Sequence, residues 1–244
     1  MDARINNTEI ITLGSYLQNQ RKEKEPIQWI VLSQDCSEAL LLSLRVLDVV
    51  NYHGQNIEIT WENSDIRRWC NTTFYNSAFS EVEKKAILLS HNDNKDPYEV
   101  TVPGKEYHPF PGCTTHEIVS SSVVSHDTID HVFFLSVQEC MQYYDLLNQS
   151  RYCPEVTEYA KGKDALTTRL SFLTANNTYR ESKEEYCSFW WLRSRAIFGS
   201  HAAICDLTGK VWDTGSAVFL DEYCNIGVRP AIRIDLKTYD SLLK

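Results

Sequence analysis

Strand-forming segments crowd the two ends of this chain and helix-forming segments lie between them, an order that restricts the fold more than any other feature. Residues 10–13, 28–32 and 39–43 are short runs of β-branched and large apolar side chains separated by turns, which reads as a meander. Residues 188–193, 202–206, 210–212 and 227–236 have the same character, and Leu207-Thr208-Gly209 offers a hairpin turn. Between these ends, Asn63-Ser64 can cap a helix that places Ile66, Trp69 and Cys70 on one apolar face. Ser80-Glu81-Val82-Glu83 is a capping box, predicting a helix to about Leu89. A strand over 131–135 leads into a second box, Ser136-Val137-Gln138-Glu139, and a helix to about Leu147. The expected class is α+β, with mixed or antiparallel sheets, about three helices and long loops.

A chain of 244 residues can bury a full core, and 43% apolar with 23% charged residues is ordinary for a globular protein. We read residues 1–244 as one domain carrying a loop-rich insertion at about 91–130, where Asn, Asp, Pro, Gly, Ser and His gather without sustained periodicity. Lys and Arg number 24 against 33 Asp and Glu, so the charge of -9 disfavours nucleic acid as a partner. No stretch approaches the roughly 20 apolar residues of a transmembrane helix, and residues 1–25 hold no signal-peptide core. As given, the chain is expected in the cytoplasm, with secretion or surface display only if a leader or export domain precedes it.

The eight cysteines (Cys36, Cys70, Cys113, Cys140, Cys153, Cys187, Cys205, Cys224) are spread through a chain too large to need staples, and are expected as reduced, mostly buried thiols. His108, His116, His126 and His131 cluster in or beside the insertion, but their spacing matches no zinc motif and neutral surface histidine is the simpler reading. Asp93-Asn94-Lys95-Asp96 lacks the glycine and glutamate of a calcium loop and reads as a solvated turn. No Gly-x-Ser-x-Gly, Ser-x-x-Lys or glycine-rich phosphate loop occurs in a chain with only 9 glycines. We therefore assign no catalytic residue, no metal ligand and no cofactor.

Two further pairs have double readings. Trp190-Trp191 could stack a sugar ring or a base, yet alternation along a strand lets only one of the two share a face with a ligand; the simpler arrangement puts one in the core and the other over a loop. Arg193 and Arg229 could fork onto a carboxylate or phosphate, or tie loops to backbone carbonyls or to an acid such as Asp206.

Several strings occur in a familiar order: Leu13-Gly14-Ser15-Tyr16, residues 26–32 (PIQWIVL), residues 59–64 (ITWENS), Ile66-Arg67-Arg68-Trp69 with Phe74-Tyr75, Phe133-Phe134-Leu135-Ser136, residues 190–194 (WWLRS) and residues 227–231 (GVRPA). Over nearly the whole chain they resemble an uncharacterised bacterial domain family, a domain of unknown function common in gut-associated bacteria. The last two strings also resemble the end of C-type-lectin-like domains, which include formylglycine-generating-enzyme relatives and the variable proteins of diversity-generating retroelements. That resemblance implies a C-type-lectin-like fold in which the two termini pair as neighbouring strands. It also implies a binding face on residues 195–226, where Arg195, Phe198, His201, Trp212, Asp213, Asp221 and Tyr223 are the candidate ligand-binding side chains.

The leading expectation is thus a non-catalytic module that presents this segment to a protein or glycan, a retroelement-diversified protein being one special case. The rival is an enzyme whose Cys/His or metal site lies under the insertion, with His108, His116, His126, Asp127 and Cys113 as its groups. Its oxidase version, after the formylglycine-generating relatives, would use Cys205 and Cys224. A component of an assembly without a small ligand is a third class.

Overall fold

The β-branched and large apolar runs within residues 10–43 pair as the expected meander. In the computed structural model, which describes residues 10–95, 123–149, 153–163, 187–196, 199–206, 209–219 and 226–243 and only the backbone of 213 and 214, it forms β1 (Ile10–Leu17), β2 (Lys24–Gln34) and β3 (Glu38–Ser43). With β7 (Val132–Phe133) and β12 (Ala231–Asp235) they make an antiparallel sheet in the order β1-β2-β3-β12-β7. The terminal strands share this sheet but do not pair, which corrects the adjacency implied by the resemblance. β3 separates β2 from β12 because residues 39–43 are buried at every position, a run that suits a central strand and not an edge.

The second sheet has the order β10-β9-β8-β11-β4, built from β4 (Asp48–Val49), β8 (Trp190–Arg195), β9 (His201–Cys205), β10 (Val211–Ala217) and β11 (Gly227–Val228). Only β8 and β11 run parallel. A ribbon of β5 (Ser90–Asn92) and β6 (Thr128–Asp130) completes the strands among the described residues. Side chains of both sheets belong to one core, in which Trp29, Trp61, Trp190, Trp191, Tyr52, Phe74, Phe133 and Phe134 are fully buried. The molecule is therefore α+β and sheet-rich, with mixed and antiparallel sheets.

Six short helices are described where about three were expected. The first, α1 (Asp65–Trp69), is capped by Ser64 and continues through a π-helical turn, Cys70–Phe74, into α2 (Tyr75–Ala78). At the second site the capping box forms, with Ser80 N donating to Glu83 Oε2 at 2.8 Å, yet only a 3-10 turn, Glu83–Ala86, follows. Tertiary pairing stops it: Ile87 bridges Ile234 and Leu88 N donates to Arg233 O, so the chain is drawn out against β12 before a second turn can close. The third site is as expected, with a complete capping box at Ser136 on α3 (Val137–Gln142) and then α4 (Tyr144–Leu147). Two helices were not foreseen, α5 (Glu158–Lys161) and α6 (Leu236–Leu242). Residues 227–236, expected as one strand, break at Arg229-Pro230, and Asp235 caps Thr238 N at 2.7 Å to start α6. No helix among the described residues is long and apolar enough to cross a membrane.

The family strings acquire structural reasons. Gly14 has φ +71°, and a Cβ there would lie 2.6 Å from the Phe79 ring. Arg229, 1% exposed, donates from Nε to Ser43 O at 2.7 Å and lies over Trp190. Burial lowers its pKa to about 10, so it stays charged at neutral pH. Arg193 donates to Phe134 O and Asn94 Oδ1 and pairs with Glu139. Both arginines tie loops to the core, as the second of the two readings had it.

The cysteines depart from expectation at one pair. Cys153 and Cys187 are joined in a disulfide, brought within 6.4 Å between Cα atoms by the Glu155–Cys187 bridge and the Ser188 N to Pro154 O hydrogen bond. Cys70, Cys140 and Cys205 are free and buried and Cys36 is free and exposed, while Cys113 and Cys224 lie outside the described residues.

Candidate functional site

Strand register decides which of the candidate ligand-binding side chains can act together. Trp212 on β10 is paired with Ile204 on β9, and Ile204 with Trp191 on β8, so these three share a face of the second sheet. Arg195 is paired with Ala202, two residues from Ile204, which puts Arg195 on the same face. His201 falls on the opposite face, paired with Ala217, and its Nδ1 is 3.5 Å from Ser200 Oγ. Burial lowers the His201 pKa. Asp213 is described only as a backbone position of β10, and Phe198, Asp221 and Tyr223 lie outside the described residues.

Trp212 is 37% exposed, yet its ring is fixed on two sides. Phe189 meets it edge-to-face with centroids 5.5 Å apart, and Nε1 donates to Asp206 Oδ2 at 3.2 Å. Asp206 is buried and also accepts from Lys210 N at 3.0 Å, so one carboxylate closes the β9–β10 hairpin and orients the indole. Such an aromatic reaches a ligand with little rotamer freedom left to lose.

The adjacent tryptophans cannot serve this role. Both Trp190 and Trp191 are fully buried, which corrects the expectation that one of them covers a loop. Tyr52 packs against Trp191, whose Nε1 donates to Val50 O at 3.0 Å, and the Arg229 guanidinium covers Trp190. β8 is a central strand with both faces occupied, so alternation sends each indole into packed core.

On the insertion side, His126 Nδ1 lies 3.0 Å from Glu62 Oε2 and His91 Nε2 lies 3.9 Å from Asp127 Oδ2. The histidine side chains are about two-thirds exposed and that of Asp127 about half. His108, His116 and Cys113 lie outside the described residues. Among the described residues, no three His, Cys, Asp or Glu side chains gather as a metal site would need. Burial holds the Cys205 thiol well above its ordinary pKa, with Cys140 beside it, which opposes thiolate chemistry there. Asp93 folds back on Lys95 N and Nζ, as a solvated turn does.

One feature escaped the sequence reading. Asp130, with its side chain 1% exposed, accepts five hydrogen bonds: Arg67 Nε at 2.7 Å and Asn71 Nδ2 at 3.3 Å on Oδ1, and Trp61 Nε1, Asn92 Nδ2 and Thr128 Oγ1 on Oδ2. Outside it lies a groove of about 290 Å³ along α1, lined by Glu62, Asn63, Ser64, Arg67, Arg68, Asn71 and Thr72. Asp130 belongs to a short strand almost seventy residues from Trp61, and no local pattern in the sequence joins them.

Comparison with known proteins adds one positive finding. A family model described as a domain of unknown function, DUF6273, matches residues 36–236. No curated protein and no solved structure matches the chain. The matched span begins just before β3, ends at the start of α6 and contains both Asp130 and Trp212. The chain belongs to the DUF6273 family.

Proposed function

We propose that this protein is a non-catalytic ligand-binding module on a C-type-lectin-like scaffold, which offers Trp212 on β10, the edge strand of the second sheet, to a protein or glycan. The observation that carries this reading is the indole of Trp212, 37% exposed on a sheet while held by Phe189 and Asp206. Aromatic anchors fixed before binding are the side chains that dominate recognition surfaces. Arg195 shares the face by register. The mixed second sheet agrees with the proposed scaffold. A retroelement-diversified protein is a special case, for which an adenine-rich template copy near the gene would be the sign.

The test is a glycan and peptide array probed with the wild-type chain and with Trp212→Ala. Loss of an anchor of about 2 kcal/mol should weaken a bound ligand roughly 30-fold. The variant loses the edge-to-face contact and the hydrogen bond to Asp206, together about 1–3 kcal/mol, and circular dichroism checks that it remains folded. Undiminished binding by the folded variant would remove Trp212 from the site, and silence of the wild type on every array would favour an assembly component.

A further inference from the structure

We infer that the groove along α1 is a second binding site and that it takes a neutral, hydroxyl-rich ligand, a single sugar ring. The site differs in position from the Trp212 face and does not depend on it. Its size, about 290 Å³, is at the lower end of the roughly 300–1,000 Å³ of small-molecule sites and suits one ring.

The charge pattern selects the ligand class. Both arginines of the lining already have a counter-charge outside the groove, Arg67 with Asp130 at 2.7 Å and Arg68 with Asp65 at 2.9 Å, while Glu62 Oε2 lies 3.0 Å from His126 Nδ1. An anion entering the groove would meet arginines that are already neutralised at contact distance, with the Glu62 carboxylate beside them. What remains open is a set of polar edges. Among the described residues, Nη2 of Arg67, Nη2 of Arg68, the side-chain amide of Asn63 and Oε1 of Glu62 make no hydrogen bond. Thr72 Oγ1 donates to Arg68 O at 2.6 Å and keeps its acceptor capacity. Donors and acceptors thus stand side by side, and hydroxyl groups, which both give and accept, are the ligand chemistry that satisfies both.

The Arg67 edge is also held in place. Arg67 is gripped from behind by a carboxylate that four other donors fix, and its Nη1 donates to Glu62 O at 2.9 Å. The lining holds no aromatic ring, so affinity rests on a few charge-assisted hydrogen bonds and falls in about the millimolar range.

Saturation-transfer difference NMR on the intact chain tests this, with the methyl glycosides of glucose, galactose, mannose and N-acetylglucosamine, and inorganic phosphate and acetate as charged probes, each at about 10 mM. At least one glycoside should give a saturable signal and neither anion should. The exposed pair Asn63→Ala/Arg68→Ala should weaken that signal about tenfold with an unchanged melting temperature, and Trp212→Ala should leave it intact. The inference is overturned if no glycoside binds, if phosphate or acetate binds instead, if the double variant binds as well as wild type, or if the signal vanishes with Trp212→Ala.

Discussion

Asp130→Asn is the sharpest test of the architecture, because it keeps the shape of a buried side chain and changes only what that side chain can accept. Oδ1 receives two N–H donors, from Arg67 and Asn71, and Oδ2 receives two more, from Trp61 and Asn92, besides the Thr128 hydroxyl. Whichever oxygen becomes an amide nitrogen, two N–H donors then face an NH₂ group; only the hydroxyl can turn and adapt. A buried donor left without an acceptor costs about 1–3 kcal/mol, and Arg67 also loses its ion pair, so we expect a loss of about 4 kcal/mol. For a chain of this size that is a fall in Tm of roughly 8–16 °C. Urea denaturation followed by circular dichroism measures it, with Arg68→Ala as the control. That control breaks only a surface pair whose arginine side chain is 72% exposed and should change stability by about 0.5 kcal/mol or less. A change below about 1 kcal/mol for Asp130→Asn, with an unaltered m-value, would refute the claim that this carboxylate organises the region.

Other perturbations probe independent features. The Cys153–Cys187 disulfide spans a sequence separation of 34; reducing it, or replacing both residues by Ser, should lower stability by about 3–4 kcal/mol, read as a Tm difference with and without reductant. Gly14→Ala forces a side chain into φ +71° and against the Phe79 ring, and should destabilise the fold by about 1–3 kcal/mol in the same melt. The His131 ring is stacked on Tyr75, and burial lowers its pKa below 6.5. A group with a depressed folded value contributes stability that is full above the unfolded pKa of 6.5 and is lost as pH falls through the folded value. His131→Gln should therefore flatten part of the fall in Tm just below that pH. His201, lowered in the same way, retains the rest, and carboxylates such as Asp93 and Asp235, lowered from 3.8, act only in more acid solution. A variant whose Tm tracks wild type through this window would exclude His131.

Local chemistry was legible wherever it acted within a few residues. The capping box at Ser136 produced its helix, because the Glu139 amide and carboxylate both reach back to one residue. The Ser80 box also formed, but its helix was cut short by Ile87 pairing with Ile234, a contact about 150 residues distant in the chain. The disulfide is of the same kind: eight cysteines permit many pairings, and only the packing of residues 153–156 beside 187–188 selects one. At the candidate site, the resemblance placed the segment and residue type then singled out Trp212 as an aromatic beside polar neighbours. Neither revealed that Asp206 and Phe189 would hold the ring, or that register would turn His201 to the other face.

From its sequence alone this chain could be read as an α+β protein, with its strands, its first caps and a resemblance to an uncharacterised family, since periodicity and capping are set by neighbours along the chain. Only the tertiary structure decided that β2 and β3 would lie between the terminal strands, that both tryptophans of the pair would be buried, and that Asp130 would gather donors from Trp61 to Thr128 behind a groove. Those outcomes depend on which distant segments exclude water together, and burial of that kind follows from how the two sheets and the ribbon pack, not from any stretch of the chain read by itself.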